Sequence, residues 1–159
     1  MQSVHPFLWF ESGADEAAEL YVGLLGGSIL AKREWGPGGP SPEGSLMSVS
    51  FEISGRQYEA FNGGPHEPFN DSFSMWVTVD DQEELDRIWD GLTSGGGAGI
   101  ACGWLRDRFG VRWQIVPSIL MELLSDPDPA RASRAMQAML SSVKFDIAGL
   151  KAAADGASK

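Results

Sequence analysis

One cysteine, two histidines and two tyrosines are all that 159 residues contain of those types. Each scarcity excludes something. A lone Cys102 can form neither an internal disulfide nor a thiolate zinc cluster, so the fold must rest on its core, and a reducing cytoplasm fits this cysteine usage. At this length about 70% of the unfolded surface is buried on folding, enough for a core without covalent staples. Positive charge is also short: 12 Lys and Arg stand against 22 Asp and Glu, a formal net charge of -10. Binding to nucleic acid or anionic lipid depends on clustered cations that release counterions, and here the cations come singly or in pairs such as Arg106 and Arg108. No nucleic-acid or membrane partner is expected. No run approaches the roughly 20 apolar residues that cross a bilayer, and no basic stretch with an apolar one behind it opens the chain. The expected location is the cytoplasm.

Glycine, by contrast, is plentiful, and it punctuates a regular order. His5 to Glu11 is a short aromatic strand; Ser12-Gly13 interrupts it, and Ala17, Leu20, Tyr21, Leu24 and Leu25 recur at helical spacing. Gly26-Gly27 stops that helix, Ser28 to Trp35 is a strand, and Gly36 to Gly44 is a Pro- and Gly-rich loop expected to be mobile. Leu46 to Ile53 and Gln57 to Asn62 alternate around a Ser54-Gly55 turn. The sum is βαβββ.

The order then returns. Phe73 to Val79 is a strand, Asp80 or Asp81 can cap a helix, and Leu85, Ile88, Trp89 and Leu92 repeat the first helical stripe at a constant offset. After Gly95-Gly96-Gly97, a strand from Ile100 to Arg106 and another from Val111 to Val116 flank a turn at Gly110. Aligning Gly55 with Gly110 places Gln57 over Arg112, Tyr58 over Trp113 and Glu59 over Gln114. The expected architecture is α+β: paired βαβββ modules, residues 5–65 and 70–117, with a helical extension over 118–153, all within one domain of residues 1–159. In the extension, Asp126-Pro127 breaks a first helix, Asp128-Pro129 starts a second, Asp146 caps a third, and Ala132, Ala135, Met136, Met139 and Leu140 line one face for core or subunit packing.

Four strand tryptophans, Trp9, Trp76, Trp104 and Trp113, suggest a concave sheet that stacks a planar or apolar molecule, although core packing claims some of them. Glu59, beside Phe61, is either an outward strand carboxylate or, pointing into the cup, a general base or hydrogen-bond acceptor. Asn62 and Gln114 can orient a polar ligand or satisfy neighbouring backbone groups. His5 and His66 read as strand-end and loop residues.

Pro6-Phe7-Leu8-Trp9-Phe10, Ala17-Ala18 with Tyr21, Phe61-Asn62-Gly63-Gly64-Pro65, Cys102-Gly103-Trp104-Leu105, Phe109-Gly110-Val111, Trp113-Gln114-Ile115-Val116-Pro117, Asp126-Pro127 and Met136-Gln137-Ala138-Met139 together resemble the PhnB-like proteins. These belong to the glyoxalase, bleomycin-resistance and extradiol dioxygenase superfamily of vicinal oxygen chelate folds, and are often labelled 3-demethylubiquinone 3-methyltransferase. The resemblance implies that the paired modules form a cupped mixed sheet, glyoxalase-like, with a cavity on it and, in the superfamily, a divalent metal held by the first and last strand of each module. The comparable places are near His5 to Phe7, Glu59, near Ser74, and Gln114, a poor cage of one carboxylate, one amide, a hydroxyl and a histidine. A methyl donor, in turn, is usually held at a glycine-rich turn from strand to helix, whereas Gly95-Gly96-Gly97 follows a helix.

The leading expectation is therefore a homodimer that binds a small aromatic or polar-apolar molecule at Trp9, Glu59, Phe61, Asn62, Ser74, Trp76, Trp104, Trp113 and Gln114, with Glu59 the best candidate for any catalysis and no cofactor required. Whether it is an enzyme is left open. The alternatives are a metal-dependent lyase, isomerase or dioxygenase using His5, Glu59 and Gln114, the methyltransferase of the family label, and a structural or regulatory homodimer.

Overall fold

The Ser54-Gly55 turn organises the first half of the molecule. In a computed structural model, which describes Gln2 and residues 4–157, both turn residues have positive φ, 50° and 74°. That is the backbone a two-residue hairpin needs to match the twist of its strands. It joins β3 (Leu46–Ile53) to β4 (Arg56–Asn62) with Ile53 opposite Arg56, Ser50 opposite Glu59 and Ser48 opposite Phe61. β1 (Phe7–Phe10) runs parallel to β4 and β2 (Gly27–Glu34) antiparallel to β3, giving the order β1-β4-β3-β2.

Helix α1 (Ala14–Leu25) covers one face of this sheet. Ala14, Ala17, Ala18 and Tyr21 are buried, as are Val49, Phe51 and Ile53 of β3, Tyr58 and Ala60 of β4, and Leu8 and Phe10 of β1. Enclosing a side chain of Leu or Phe size contributes roughly 2 kcal/mol, so this packed face is the main stabilising feature of the unit. The residues between them, Phe7, Trp9, Ser48, Ser50, Glu59 and Phe61, fall on the opposite face because strand side chains alternate.

The loop expected to be mobile is tied at its base. Trp35 N–H donates to the Ser45 carbonyl (2.8 Å) and Gly44 N–H to the Trp35 carbonyl (2.9 Å), so the β2–β3 hairpin continues beyond its strands. Gly39 lies against the Trp35 ring, where a Cβ would come within 2.9 Å of it. The glycine and proline content thus serves a hairpin tip folded on an indole.

The residues up to Pro68 and those from Phe69 onward form two compact units. The second has β5 (Met75–Val79), α2 (Gln82–Thr93), β6 (Ala98–Gly99), β7 (Trp104–Arg106) and β8 (Arg112–Pro117), in the order β5-β8-β7-β6 with β5 parallel to β8. Each four-stranded mixed sheet therefore has the same strand order, and the two helices begin 68 residues apart with equal lengths. Asp81 caps α2 by accepting from Glu84 N–H at 2.8 Å. Leu85, Ile88, Trp89 and Leu92 are buried, as are Leu105, Trp113 and Ile115 of the sheet.

The continuous strand expected from Ile100 to Arg106 is not formed. Cys102 and Gly103 take positive φ, 51° and 79°, and turn the chain so that β7 begins only at Trp104. Their N–H groups donate to the carbonyls of Ser142 (2.7 Å) and Val143 (2.9 Å). A Cβ on Gly103 would stand 2.4 Å from the Phe145 ring, so the turn is shaped to receive the C-terminal segment.

That segment contains α3 (Ser118–Leu124), α4 (Pro129–Ser141) and α5 (Ile147–Ala154). Asp128 and Asp146 cap the last two by accepting from Ala130 and Gly149. Gln82 of α2 reaches across, donating to the Phe145 carbonyl (3.2 Å) and accepting from Ile147 N–H (2.8 Å). Lys144 pairs with Asp86 (2.7 Å) and Asp90 (3.1 Å) on the same helix. The stripe on α4 packs only in part: Ala135 is buried, whereas Met136 and Leu140 are exposed. Among the described residues no helix is long and apolar enough to cross a membrane.

Candidate ligand-binding face

On the face of the first sheet turned away from α1, aromatic rings gather around Phe61. Phe7, Trp9 and Trp35 stand with their ring centroids 5.4, 5.1 and 5.8 Å from it. Register explains two of the three, since Trp9 is the parallel partner of Phe61 and Phe7 that of Glu59 one row away. Phe7 is 55% exposed and Trp9 42%, so large apolar surface remains in water here. The Trp9 indole donates to the Gly64 carbonyl (3.1 Å). Gly63 lies so close to the Trp9 and Phe61 rings that a Cβ would come within 2.3 Å of Trp9 Cε2 and 2.4 Å of Phe61 Cε1. Trp35 Nε1 is enclosed without a hydrogen-bond partner among the described residues.

Beside this cluster the Glu59 side chain is only 12% exposed. Its Oε1 accepts from Ser48 Oγ (2.5 Å) and from Arg33 Nη1 (3.0 Å), and its Oε2 accepts from Ser50 Oγ. Arg33 Nη1 also donates to Ser50 Oγ at 2.8 Å. β3 supplies both hydroxyls, β2 the guanidinium and β4 the carboxylate. Glu59 therefore sits within a ring of donors rather than in an apolar cup. His5, Phe7, Arg33, Met47, Ser48, Gln57, Glu59 and Phe61 line a groove of about 380 Å³ on this face.

Asn62 spends its side-chain amide on neighbouring backbone groups. Its Oδ1 accepts from Ala14 N–H (2.8 Å) and its Nδ2 donates to the Leu46 carbonyl (3.2 Å). Gly13, which precedes α1, offers no side chain to cap it, so β4 supplies the cap from a distance.

In the second unit, Gln114 of β8 pairs with Trp76 of β5 and Trp104 of β7, which puts the three on one face. Gln114 Nε2 donates to Ser74 Oγ (2.8 Å), and the 53% exposed Trp76 donates through its indole to Thr78 Oγ1 (3.1 Å). Trp113 belongs to the other face and is fully enclosed, which removes it from the set of pocket residues. Its indole donates to the buried Asp107 Oδ2 at 2.8 Å, while Asp107 Oδ1 accepts from Phe109 and Val111 N–H. The alternation that exposes Gln114 necessarily buries its neighbour.

Of the residues gathered here, sequence reasoning brought out the His5 to Phe7 stretch, Trp9, Glu59 and Phe61 but passed over Arg33, Ser48, Ser50, Met47 and Gln57. The serines were within reach of it: a two-residue turn at Ser54-Gly55 sets Ser50 opposite Glu59 by counting. Arg33 was not, because β2 meets β3 through register shifts between Ile29 and Ala31 and between Arg33 and Glu34.

A family model described as 3-demethylubiquinone-9 3-methyltransferase matches residues 2–116. The chain belongs to that family. Its match ends within β8, so α3, α4 and α5 lie beyond it. Among solved structures the chain is similar to a putative 3-demethylubiquinone-9 3-methyltransferase, PhnB protein, from Bacillus cereus. That structure is 27% identical with a TM-score of 0.66, over 74% of this chain and 100% of the other. It is also similar to the fosfomycin resistance protein FosX from Mesorhizobium loti (12% identity, TM-score 0.57, covering 78% and 97%) and to a possible glyoxalase from Bacillus cereus (13%, 0.52, covering 73% and 98%). The last two show the fold alone. This family member has the glyoxalase-type α+β fold. No curated protein sequence matches it.

Proposed function

We propose that this PhnB-like protein binds a small aromatic or polar-apolar molecule on the face of its first sheet turned away from α1, and that it does so without a tightly held metal. The carrying observation is the half-exposed row of Phe7 and Trp9 packed on Phe61, with Phe7 and Phe61 also lining a groove that Arg33, Ser48 and Glu59 share, an arrangement that leaves apolar surface in water with directional groups at its edge. The test is thermal unfolding with 2-naphthol. Wild type is expected to gain stability with rising ligand while Phe61→Ala gains little, and absence of any shift in wild type at millimolar 2-naphthol would overturn the reading.

Metal chemistry of the superfamily kind would require Glu59 to give a lone pair to an ion. Here three donors already converge on that carboxylate, and among the described residues no three His, Cys, Asp or Glu side chains are grouped to hold a metal. His5 does line the same groove, so zinc and nickel titrations are the direct check. Tight stoichiometric binding abolished by Glu59→Ala would replace the metal-free reading with that of a metal-dependent lyase, isomerase or dioxygenase. Methyl transfer, the activity in the family description, would call for a donor cradle. Gly95 and Gly96 close a short 3-10 turn directly after α2, not a turn from strand to helix. Calorimetry with S-adenosylmethionine is expected to show no heat of binding.

A further inference from the structure

We infer that the groove selects aromatic molecules carrying an anionic group, with Arg33 as the residue that contacts the anion and Glu59 as the residue that positions Arg33. This rests on the binding reading above and deepens it. The assignment follows from which hydrogen-bonding capacity is spent. A carboxylate only accepts and a guanidinium only donates, through five N–H groups in a planar fork. Glu59 receives Ser48, Ser50 and Arg33 and is nearly enclosed, so its acceptor capacity is largely used inside the protein. Arg33 spends only Nη1, on Ser50 and Glu59. Its Nε and Nη2 hydrogens have no hydrogen-bond partner among the described residues, and its side chain is 52% exposed at the wall of the groove. What the groove offers a ligand is therefore a row of donors on a fixed cation. Phe7, Met47 and Phe61 line the same groove and supply the apolar surface for a ring.

Pairing with Glu59 does not cancel this preference, because it fixes the fork. A long arginine on a strand ordinarily loses rotamer freedom when it grips a ligand, and here Ser50 and Glu59 have already taken up that cost. A carboxylate is the anion whose geometry matches the remaining edge, since two parallel N–H groups meet its two oxygens.

The test is isothermal titration calorimetry with a matched pair of probes, 2-naphthoate and 2-naphthamide, which share the ring and differ in charge. Wild type is expected to bind the naphthoate about ten-fold more tightly at low salt, the margin narrowing as salt is added. Arg33→Gln is expected to bind the two alike, and Arg33→Lys, which keeps the charge without the fork, to keep part of the margin. Equal binding of both probes by wild type, or an undiminished margin in Arg33→Gln, overturns the anion assignment while leaving aromatic binding in place. Failure of both probes to bind wild type removes the binding reading itself. Should Arg33→Gln not fold, the wild-type comparison alone decides.

Discussion

Ser48 and Ser50 are short hydroxyls almost without exposure, and each has its oxygen committed to Glu59. Buried donors stranded by loss of their acceptor retain the cost of leaving water, and hydrogen bonds to a charged group are the stronger kind. Glu59→Ala is therefore expected to lower unfolding stability by about 2 kcal/mol, measured by urea denaturation, with Glu59→Gln losing less than half as much because its amide oxygen can still accept. A loss near zero would show that the hydroxyls find other partners. Asp107 presents the sharper case. It is wholly buried and holds the Phe109 and Val111 N–H groups and the Trp113 indole at once. Asp107→Ala is expected to cost about 3 kcal/mol or more and to change the near-ultraviolet circular dichroism of Trp113. The identity of Asp107 as a lock was not legible in the sequence, where it reads as one more acid in a hairpin turn. Glu59 stood out in the sequence as a candidate through its register with Gln114, but its hydrogen-bond partners did not, because β2 and β3 both supply them and only the β3 pairing follows from a local turn.

At the level of elements, the strands and helices followed from alternation and spacing, and the caps at Asp81, Asp128 and Asp146 stand where a short polar residue precedes an apolar stripe. The break at Cys102 and Gly103 was hidden because its cause lies some forty residues away, in the Ser142 and Val143 carbonyls that accept from it. This docking of the C-terminal segment has a pH signature. The hydrogen bond from Lys144, aided by that from Gln82, holds the Asp86 carboxyl below its ordinary 3.8. Burial works against the charge on Lys144, yet its hydrogen bonds to Asp86 and Asp90 raise it above 10.5. A lowered acid stabilises above its unfolded value and loses that contribution as pH falls through the folded one. A raised base stabilises below its unfolded value and loses it as pH rises through the folded one. Hydrogen-exchange protection of α5, corrected for intrinsic rates, is expected to be level between roughly pH 4 and 10 and to fall on either side. Lys144→Ala should lower the plateau and remove both edges, and a profile unchanged in the variant would mean that Gln82 alone holds the segment.

For the whole molecule, the net charge of -10 sets a field that opposes any anionic ligand at long range. Association of 2-naphthoate is thus expected to speed up as salt rises to about 0.1 M while dissociation also quickens, a pair of trends that stopped-flow mixing separates. We propose that the protein is a homodimer, and light scattering at micromolar concentration is expected to return twice the 17.1 kDa chain mass; a monomer would refute it. The enclosure of Trp113 and Trp89, against the openness of Trp76 and Trp9, also divides the molecule optically. The first pair should emit in the blue and ignore iodide, and the second should emit toward the red and be quenched. Because Trp9 touches the Phe61 cluster, a ligand that protects only part of the quenchable light would report its own address.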